Sequence, residues 1–124
     1  MVIFVTPNHF PLLSLPAGLD HSILCYNARS ILPKLSELQL IAEAYAPNII
    51  CITETRLGSD IQDHELLLPG YQLIRLDRNR HGGGALMFIT SQLSYSVLPG
   101  CRDLELLSVV VRQESCKVCI SLFL

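Results

Sequence analysis

The stretch SILCYNARSILPKLSELQLIAEAYAPNIICITET, residues 22–55, decides the fold of this chain. Its apolar run SILCYN (22–27) predicts a buried strand, and its β-branched run NIICIT (48–53) predicts a second one. Between the two runs, Ser30 is a candidate N-cap, and the following apolar residues recur at helical spacing until Pro47 ends the helix: Ile31, Leu35, Leu38, Ala42 and Tyr45. The sequence therefore predicts a strand–helix–strand unit with its helix over 31–46.

Two polar residues follow the predicted strands closely. A crossover of this length makes the strands parallel, so Asn27 and Glu54 emerge at the same carboxyl edge of the sheet. Mg²⁺ is often held by one or two carboxylates together with substrate phosphates, and a Glu beside an Asn amide suits that task. The plainer interpretation stays open: Asn27 can serve as a turn or cap residue, and Glu54 as an exposed residue at a strand end.

The rest of the chain is rich in predicted strands. YQLIRL (71–76) and GALMFIT (84–90) predict two strands around the polar turn DRNRHGGG (77–84). The segments LELLSVVVR (104–112) and CKVCISLFL (116–124) predict a β-hairpin. The predicted class is therefore α/β, with a βαβ unit followed by antiparallel strands.

Composition limits the classes of protein that this chain can represent. Its 124 residues fit one domain, and the net charge of -2 gives no general attraction to nucleic acid. Charged residues make up 16% against roughly 25% in average domains, while 50% are hydrophobic. Such a chain is deeply buried, oligomeric or part of something larger. No apolar run is long enough to span a membrane.

The termini and cysteines give further expectations. Residues 1–21 are apolar, are interrupted by three prolines and lack a positive N-terminal region, so we expect a poorly ordered leader. The five cysteines show no disulfide-scaffold spacing, which favours reduced thiols and an intracellular location. Neither a Walker A lysine nor a G-x-G-x-x-G motif is present, so no nucleotide cofactor is expected.

A basic cluster lies in the turn between the two middle strands. Arg75, Arg78 and Arg80, with His81, form a candidate clamp for phosphates. A solvated hairpin tip is an equally good interpretation of the same residues. The sequence HGGG (81–84) matches the oxyanion motif of some esterases, but the chain has no G-x-S-x-G nucleophile elbow, which excludes that chemistry.

The motifs NARSI (27–31), PNIICITETRL (47–57) and LPGYQLIRLDRNRHGGGALMFI (68–89), in this order, resemble the start of an endonuclease/exonuclease/phosphatase domain. The version most similar is the N-terminal endonuclease of reverse transcriptases from LINE-type (non-LTR) retrotransposons. The resemblance covers about residues 22–124 and implies a four-layer α/β sandwich that cuts DNA with Mg²⁺. It further implies that Asn27 orients the scissile phosphate and that Glu54 holds the metal.

The sequence also departs from the family. The resemblance implies a later Asp-x-Asn motif and a closing Asp-His pair, but Asp103 is the only Asp after residue 100 and no His follows His81. Arg56 stands where relatives commonly carry Trp. Residues 22–124 are thus expected to form an N-terminal half domain, with its C-terminal half missing, that is inactive alone. A non-catalytic DNA- or protein-binding fragment and a decayed transposon reading frame are the alternatives.

Overall fold

The computed structural model describes residues 2–5, 12–14, 22–78, 81–99, 106–113 and 116–123. These residues form a mixed α/β structure with two sheets and one α-helix. The elements, in chain order, are β1 (Val2–Val5), β2 (Leu12–Ser14), β3 (Ser22–Asn27), α1 (Leu35–Tyr45), β4 (Ile49–Thr53), β5 (Tyr71–Leu76), β6 (Ala85–Thr90), β7 (Ser94–Val97), β8 (Leu106–Gln113) and β9 (Cys116–Phe123).

The predicted strand–helix–strand unit is confirmed. β3 and β4 run parallel in one sheet, with Ile23 opposite Ile49 at one end and Asn27 opposite Thr53 at the other. All five residues of β4 are buried, as expected for a strand covered on both faces. The two strands therefore end side by side, and the chain leaves both at the same edge.

The helix begins later than its hydrophobic spacing predicts. Ser30 is not its N-cap, because a short 3-10 helix, Leu32–Lys34, comes before α1 and Lys34 is the residue at the N-cap position. Pro33 lies in that 3-10 turn, where its missing N–H group costs no hydrogen bond. At the other end, Ala46 adopts the left-handed conformation and its N–H donates to the Ala42 carbonyl oxygen at 2.8 Å, so the helix ends before Pro47 as predicted.

The first sheet contains five strands in the order β2-β3-β4-β6-β5. β6 is antiparallel to both β4 and β5, so β5 runs in the same direction as β3 and β4. The second sheet has the order β1-β9-β8-β7, and its centre is the predicted hairpin of β8 and β9. β7 was not predicted; its sequence, SYSV, is short and half polar.

β1 and β2 lie within the segment expected to be a poorly ordered leader. β1 pairs in parallel with β9, and β2 pairs antiparallel with β3, each at the edge of its sheet. Because an edge strand is hydrogen-bonded on one side only, its amides are less protected than those of a central strand. The order of residues 1–21 as a whole stays a prediction, which amide exchange can test.

Two apolar cores hold the layers together, one on each face of the five-stranded sheet. Alternating residues of β3, β4 and β6 pack against α1, with Leu38, Ile52 and Phe88 fully buried there. The other residues of the same strands pack against the second sheet, with Met87 and Val109 in contact with that core. The order of layers is therefore helix, five-stranded sheet and four-stranded sheet.

Two cysteines of the inter-sheet core lie opposite each other. Cys25 and Cys51 are register partners in β3 and β4, and both are buried free thiols. Burial raises the pKa of Cys25 to about 11 and raises the pKa of Cys51 well above its ordinary value. Both thiols are thus held protonated at neutral pH.

Among the residues that the structure describes, no helix has the length and apolar character that a membrane crossing requires.

Candidate active site at the carboxyl edge of the five-stranded sheet

Four strands of the five-stranded sheet reach one common edge. Asn27 is the register partner of Thr53, Thr53 is the partner of Ala85, and Ala85 is the partner of Leu76. Glu54 comes directly after this row. The structure therefore places Asn27 and Glu54 at the same edge of neighbouring strands, although 27 positions separate them in the sequence.

Backbone hydrogen bonds continue the ladder beyond the ends of β3 and β4. The N–H groups of Ala28 and Ser30 donate to the carbonyl oxygens of Thr53 and Glu54 at 3.0 and 2.9 Å. On the opposite side, the Arg56 N–H donates to the Gly83 carbonyl oxygen at 3.0 Å. The segment that carries Glu54 is thus held between the loop after β3 and the glycines before β6.

Backbone strain is concentrated in these same loops. Arg29, Ser30, Glu54 and Arg56 have φ values of 46°, 86°, 52° and 51°. A non-glycine residue in this region costs about 1–3 kcal/mol, and such residues persist only where the surroundings hold them in place. The hydrogen bonds between the loops provide that support. Strain of this kind collects at ligand-binding sites, which favours a functional interpretation of the edge.

Gly84 makes the close approach of the loops sterically feasible. Its φ is +91°, and a Cβ built at this position would lie 2.3 Å from the Thr55 Oγ1 atom. Gly82, in contrast, has no atom within 4 Å of such a Cβ. The glycine run was expected to permit a tight turn and close packing, and at Gly84 the close approach of Thr55 excludes a side chain.

Glu54 follows the row of strand ends directly, as the residue after Thr53. Its side chain is 38% exposed, and its Oε2 atom lies 3.8 Å from an Nη2 of Arg56. Asn27 is half-buried beside it in the neighbouring strand. An accessible carboxylate, an amide and a guanidinium thus share one strand edge, an arrangement that can bind both a cation and a phosphate.

The fit of this donor set to a divalent cation is partial. Residues 2–5, 12–14, 22–78, 81–99, 106–113 and 116–123 contain no group of three or more His, Cys, Asp or Glu side chains placed to hold a metal. Mg²⁺ usually keeps several waters and takes one or two carboxylates together with substrate phosphates. Glu54 and Asn27 therefore fit an ion that is bound jointly with a phosphate, and do not fit an ion caged by this chain alone.

Two threonine hydroxyls near Glu54 were not singled out by the sequence. The Oγ1 atoms of Thr53 and Thr55 are buried and have no hydrogen-bond partner among the described residues. Thr53 lies on the face that packs against the second sheet, since its neighbour Ile52 belongs to the helix-side core. A buried hydroxyl without a partner costs about 1–3 kcal/mol. The site thus contains polar atoms that no described residue satisfies.

Arg75 does not lie beside Asn27. It is the register partner of Leu86, whose side chain packs in the helix-side core, so Arg75 is on the face opposite Asn27 and Thr53. Its guanidinium donates to Asp77 at 2.6 Å and to Asp63 at 3.1 Å.

Arg75 also donates to two backbone oxygens, those of Ile61 and Gly58, at 2.8 and 3.4 Å. The hydrogen bond to Asp77 raises the pKa of Arg75, against an opposing effect of burial. Arg75 therefore ties the loop 58–63 to β5, and a phosphate would have to displace these partners.

Of the other two members of the predicted basic cluster, the structure describes one. Arg78 is exposed, and Arg80 lies outside the described residues. Arg29 and Arg56, which the sequence did not mark as phosphate ligands, stand in the loops at the site instead. Their positions, each two residues after Asn27 or Glu54, were the available signal. The phosphate-binding roles of Arg75, Arg78 and Arg80 stay predictions.

The fold of this chain is similar to that of solved nucleases. It matches the AP endonuclease LMAP from Leishmania major with a TM-score of 0.66 and 16% identity, over 89% of this chain and 44% of that one. It matches the endonuclease domain of TRAS1, a telomere-specific non-LTR retrotransposon, with a TM-score of 0.59 and 15% identity, over 82% and 42% of the two chains. A third match is a 3' phosphatase from Neisseria bound to product DNA hairpin, with a TM-score of 0.53 and 14% identity, over 80% and 40%.

These matches confirm the predicted resemblance at the level of the fold. The chain has the AP endonuclease fold over part of that fold's length, and it spans less than half of each of the three matched chains. No protein-family model matches the sequence, and no curated protein matches it. The fold class predicted from the sequence, a partial α/β sandwich, is therefore correct.

Substitution of Gly84 tests the packing of the loops at the site. We expect Gly84→Ala to lower the free energy of unfolding by at least about 2 kcal/mol, because a Cβ is strained at positive φ and clashes with Thr55. Gly82→Ala is the matched control, expected to change it by less than about 1 kcal/mol. Urea unfolding followed by circular dichroism measures both. Equal unfolding midpoints for the two variants would show that the loops are not packed as described.

Proposed function

We propose that this chain is one half of a metal-dependent phosphodiesterase domain that acts on DNA, to which it contributes Asn27 and Glu54. The observation that carries the proposal is the parallel register of β3 and β4, which brings an amide and a carboxylate to one edge. The similarity in fold to AP endonucleases and to a retrotransposon endonuclease domain supports it. The carboxyl edge of an α/β sheet is also where ligands commonly bind.

The roles of the two residues follow from their chemistry. The Glu54 carboxylate would hold Mg²⁺, and its partial exposure leaves it open to an ion and a phosphate together. The Asn27 amide would donate a hydrogen bond to a phosphate oxygen and fix its orientation. Mg²⁺, when bound, supplies Lewis-acid activation of the phosphate and stabilises the leaving oxygen.

The same proposal explains why the isolated chain would not hydrolyse DNA. Activation of water needs a general base, a contribution of typically ~10²–10⁴ in rate. Asp103, the only Asp after residue 100, lies outside the described residues, and no His follows His81 in the sequence. The catalytic groups that the resemblance implies for the second half therefore have no counterpart here.

Paramagnetic broadening by Mn²⁺ tests the metal role of Glu54 without requiring turnover. Mn²⁺ prefers the same oxygen ligands as Mg²⁺, so we expect the amide signals of residues 27–30 and 53–56 to broaden first in a titration. Glu54→Gln should abolish this pattern, because the amide removes the anionic ligand. Glu43→Gln, at an exposed position on α1, is the control and should leave it unchanged. Broadening spread evenly over surface carboxylates would contradict the proposal.

The isolated chain is expected to show no Mg²⁺-dependent nicking of supercoiled plasmid above background, because the groups that activate water are missing. The measurement compares wild type with Glu54→Ala under identical conditions. Nicking by wild type that disappears in Glu54→Ala would show that the chain is a complete enzyme.

A non-catalytic binding fragment is the second candidate function. The observation that favours it is the guanidinium of Arg56, 3.8 Å from the Glu54 carboxylate. The positive charge of Arg56 offsets the negative charge with which Glu54 would hold a metal ion. DNA binding without a Mn²⁺ site at Glu54 would support this alternative. A decayed transposon reading frame would instead show no cooperative unfolding transition.

A further inference from the structure

Arg29 lies in the loop after β3, and Arg56 lies in the loop after β4 that also carries Glu54. Ser30, the residue after Arg29, donates its N–H to the Glu54 carbonyl oxygen at 2.9 Å, so the two loops are joined at the position of Glu54. Arg29 is exposed, and the side chain of Arg56 is 40% exposed. Two guanidinium groups are therefore carried on a rigid backbone next to the candidate site.

The guanidinium of Arg56 is incompletely satisfied. Its approach to Glu54, at 3.8 Å, is longer than a hydrogen bond, and its Nε is buried without a partner among the described residues. Arg75 offers a contrast within the same molecule, since it donates to two carboxylates and two carbonyl oxygens. Arg75 has the contacts of a structural residue, whereas Arg56 keeps donors for a further acceptor.

The sequence provides a second contrast. Arg75, Arg78 and Arg80 form the obvious basic cluster, but Arg75 lies on the opposite face of the sheet from Asn27. Arg29 and Arg56 are isolated in the sequence, and the register of β3 and β4 brings the loops that carry them to one edge. Arg29 and Arg56 thus bring positive charge to the edge that carries Glu54, although no basic run in the sequence marks them.

We propose that Arg29 and Arg56 bind backbone phosphates of a DNA strand at the edge that carries Glu54. The proposal deepens the proposed function, on which it rests for the identity of the ligand. A guanidinium matches the geometry of a phosphate through two parallel N–H donors. The Nη groups of Arg56, on a side chain that is 40% exposed, have no hydrogen-bond acceptor among the described residues and can donate to a phosphate. The positive charge of Arg56 also offsets the repulsion between Glu54 and an approaching phosphate.

Salt dependence of DNA binding measures the number of phosphates that the protein contacts. For duplex DNA, the logarithm of the binding constant falls with the logarithm of salt concentration with a slope of about 0.9 per phosphate. Loss of one contact should therefore reduce the slope by about 0.9 and weaken binding about eightfold at 0.1 M salt. Fluorescence anisotropy of a labelled duplex of mixed sequence, with the full chain, gives both quantities.

We expect Arg29→Gln and Arg56→Gln each to reduce the slope by one phosphate. Arg56→Lys keeps the charge but not the paired donors, so it should keep the slope and lose affinity. Arg112→Gln is the matched control, because Arg112 is exposed on β8, outside the loops, and donates to Ser96. Circular dichroism unfolding of each variant shows whether the fold is retained.

The outcomes separate this inference from the proposed function. Unchanged slopes in both Gln variants, with wild type binding DNA, would overturn the roles of Arg29 and Arg56. Absence of DNA binding by wild type would also overturn them, while Mn²⁺ broadening at Glu54 would still support the metal site. A reduced slope in the two Gln variants but not in Arg112→Gln would support the proposal.

Discussion

The parallel register between β3 and β4 is the constraint on which the candidate site depends. Both strands have a buried face against α1 and a buried face against the second sheet, so each residue belongs to one core or the other. A slip of one strand by one residue would turn its residues that pack against α1 toward the second sheet, and the residues that pack against the second sheet toward α1. Because burial fixes the register so strongly, Asn27 lies opposite Thr53 and the backbone beyond β4 begins at Glu54.

Some of this arrangement could be predicted from the sequence. Helical spacing between two apolar runs, and the stop at Pro47, were sufficient for the strand–helix–strand unit. The order of strands beyond β6 was not predictable, because pairing such as β1 with β9 joins opposite ends of the chain. The positive φ angles of Arg29 and Glu54 could not be predicted either, because they depend on hydrogen bonds between loops that are far apart in the sequence.

The basic residues show why a charge cluster in a sequence is a weak guide. Arg75 belongs to a basic cluster in the sequence. The alternation of side chains along β5 nevertheless directs it toward the loop 58–63, where it donates to the carbonyl oxygens of Ile61 and Gly58. Arg56 has no basic neighbour in the sequence, yet it lies 3.8 Å from Glu54. The surroundings of the two arginines are therefore set by the pairing of strands and loops in the folded chain.

The apolar excess in the composition appears in part on the surface, where Leu40 and Leu67 are 66% and 70% exposed.

Backbone hydrogen bonds join three loops at the carboxyl edge, and amide hydrogen exchange measures whether these bonds hold. The N–H groups of Ser30, Ile31 and Arg56 donate to carbonyl oxygens of other loops, so their exchange should be slow and close to that of β4. Residues 59 and 60, which lie in an exposed turn, should exchange fast. If Ser30, Ile31 and Arg56 exchange as fast as that turn, the loops are not joined, and the structure gives Glu54 no fixed position beside Asn27.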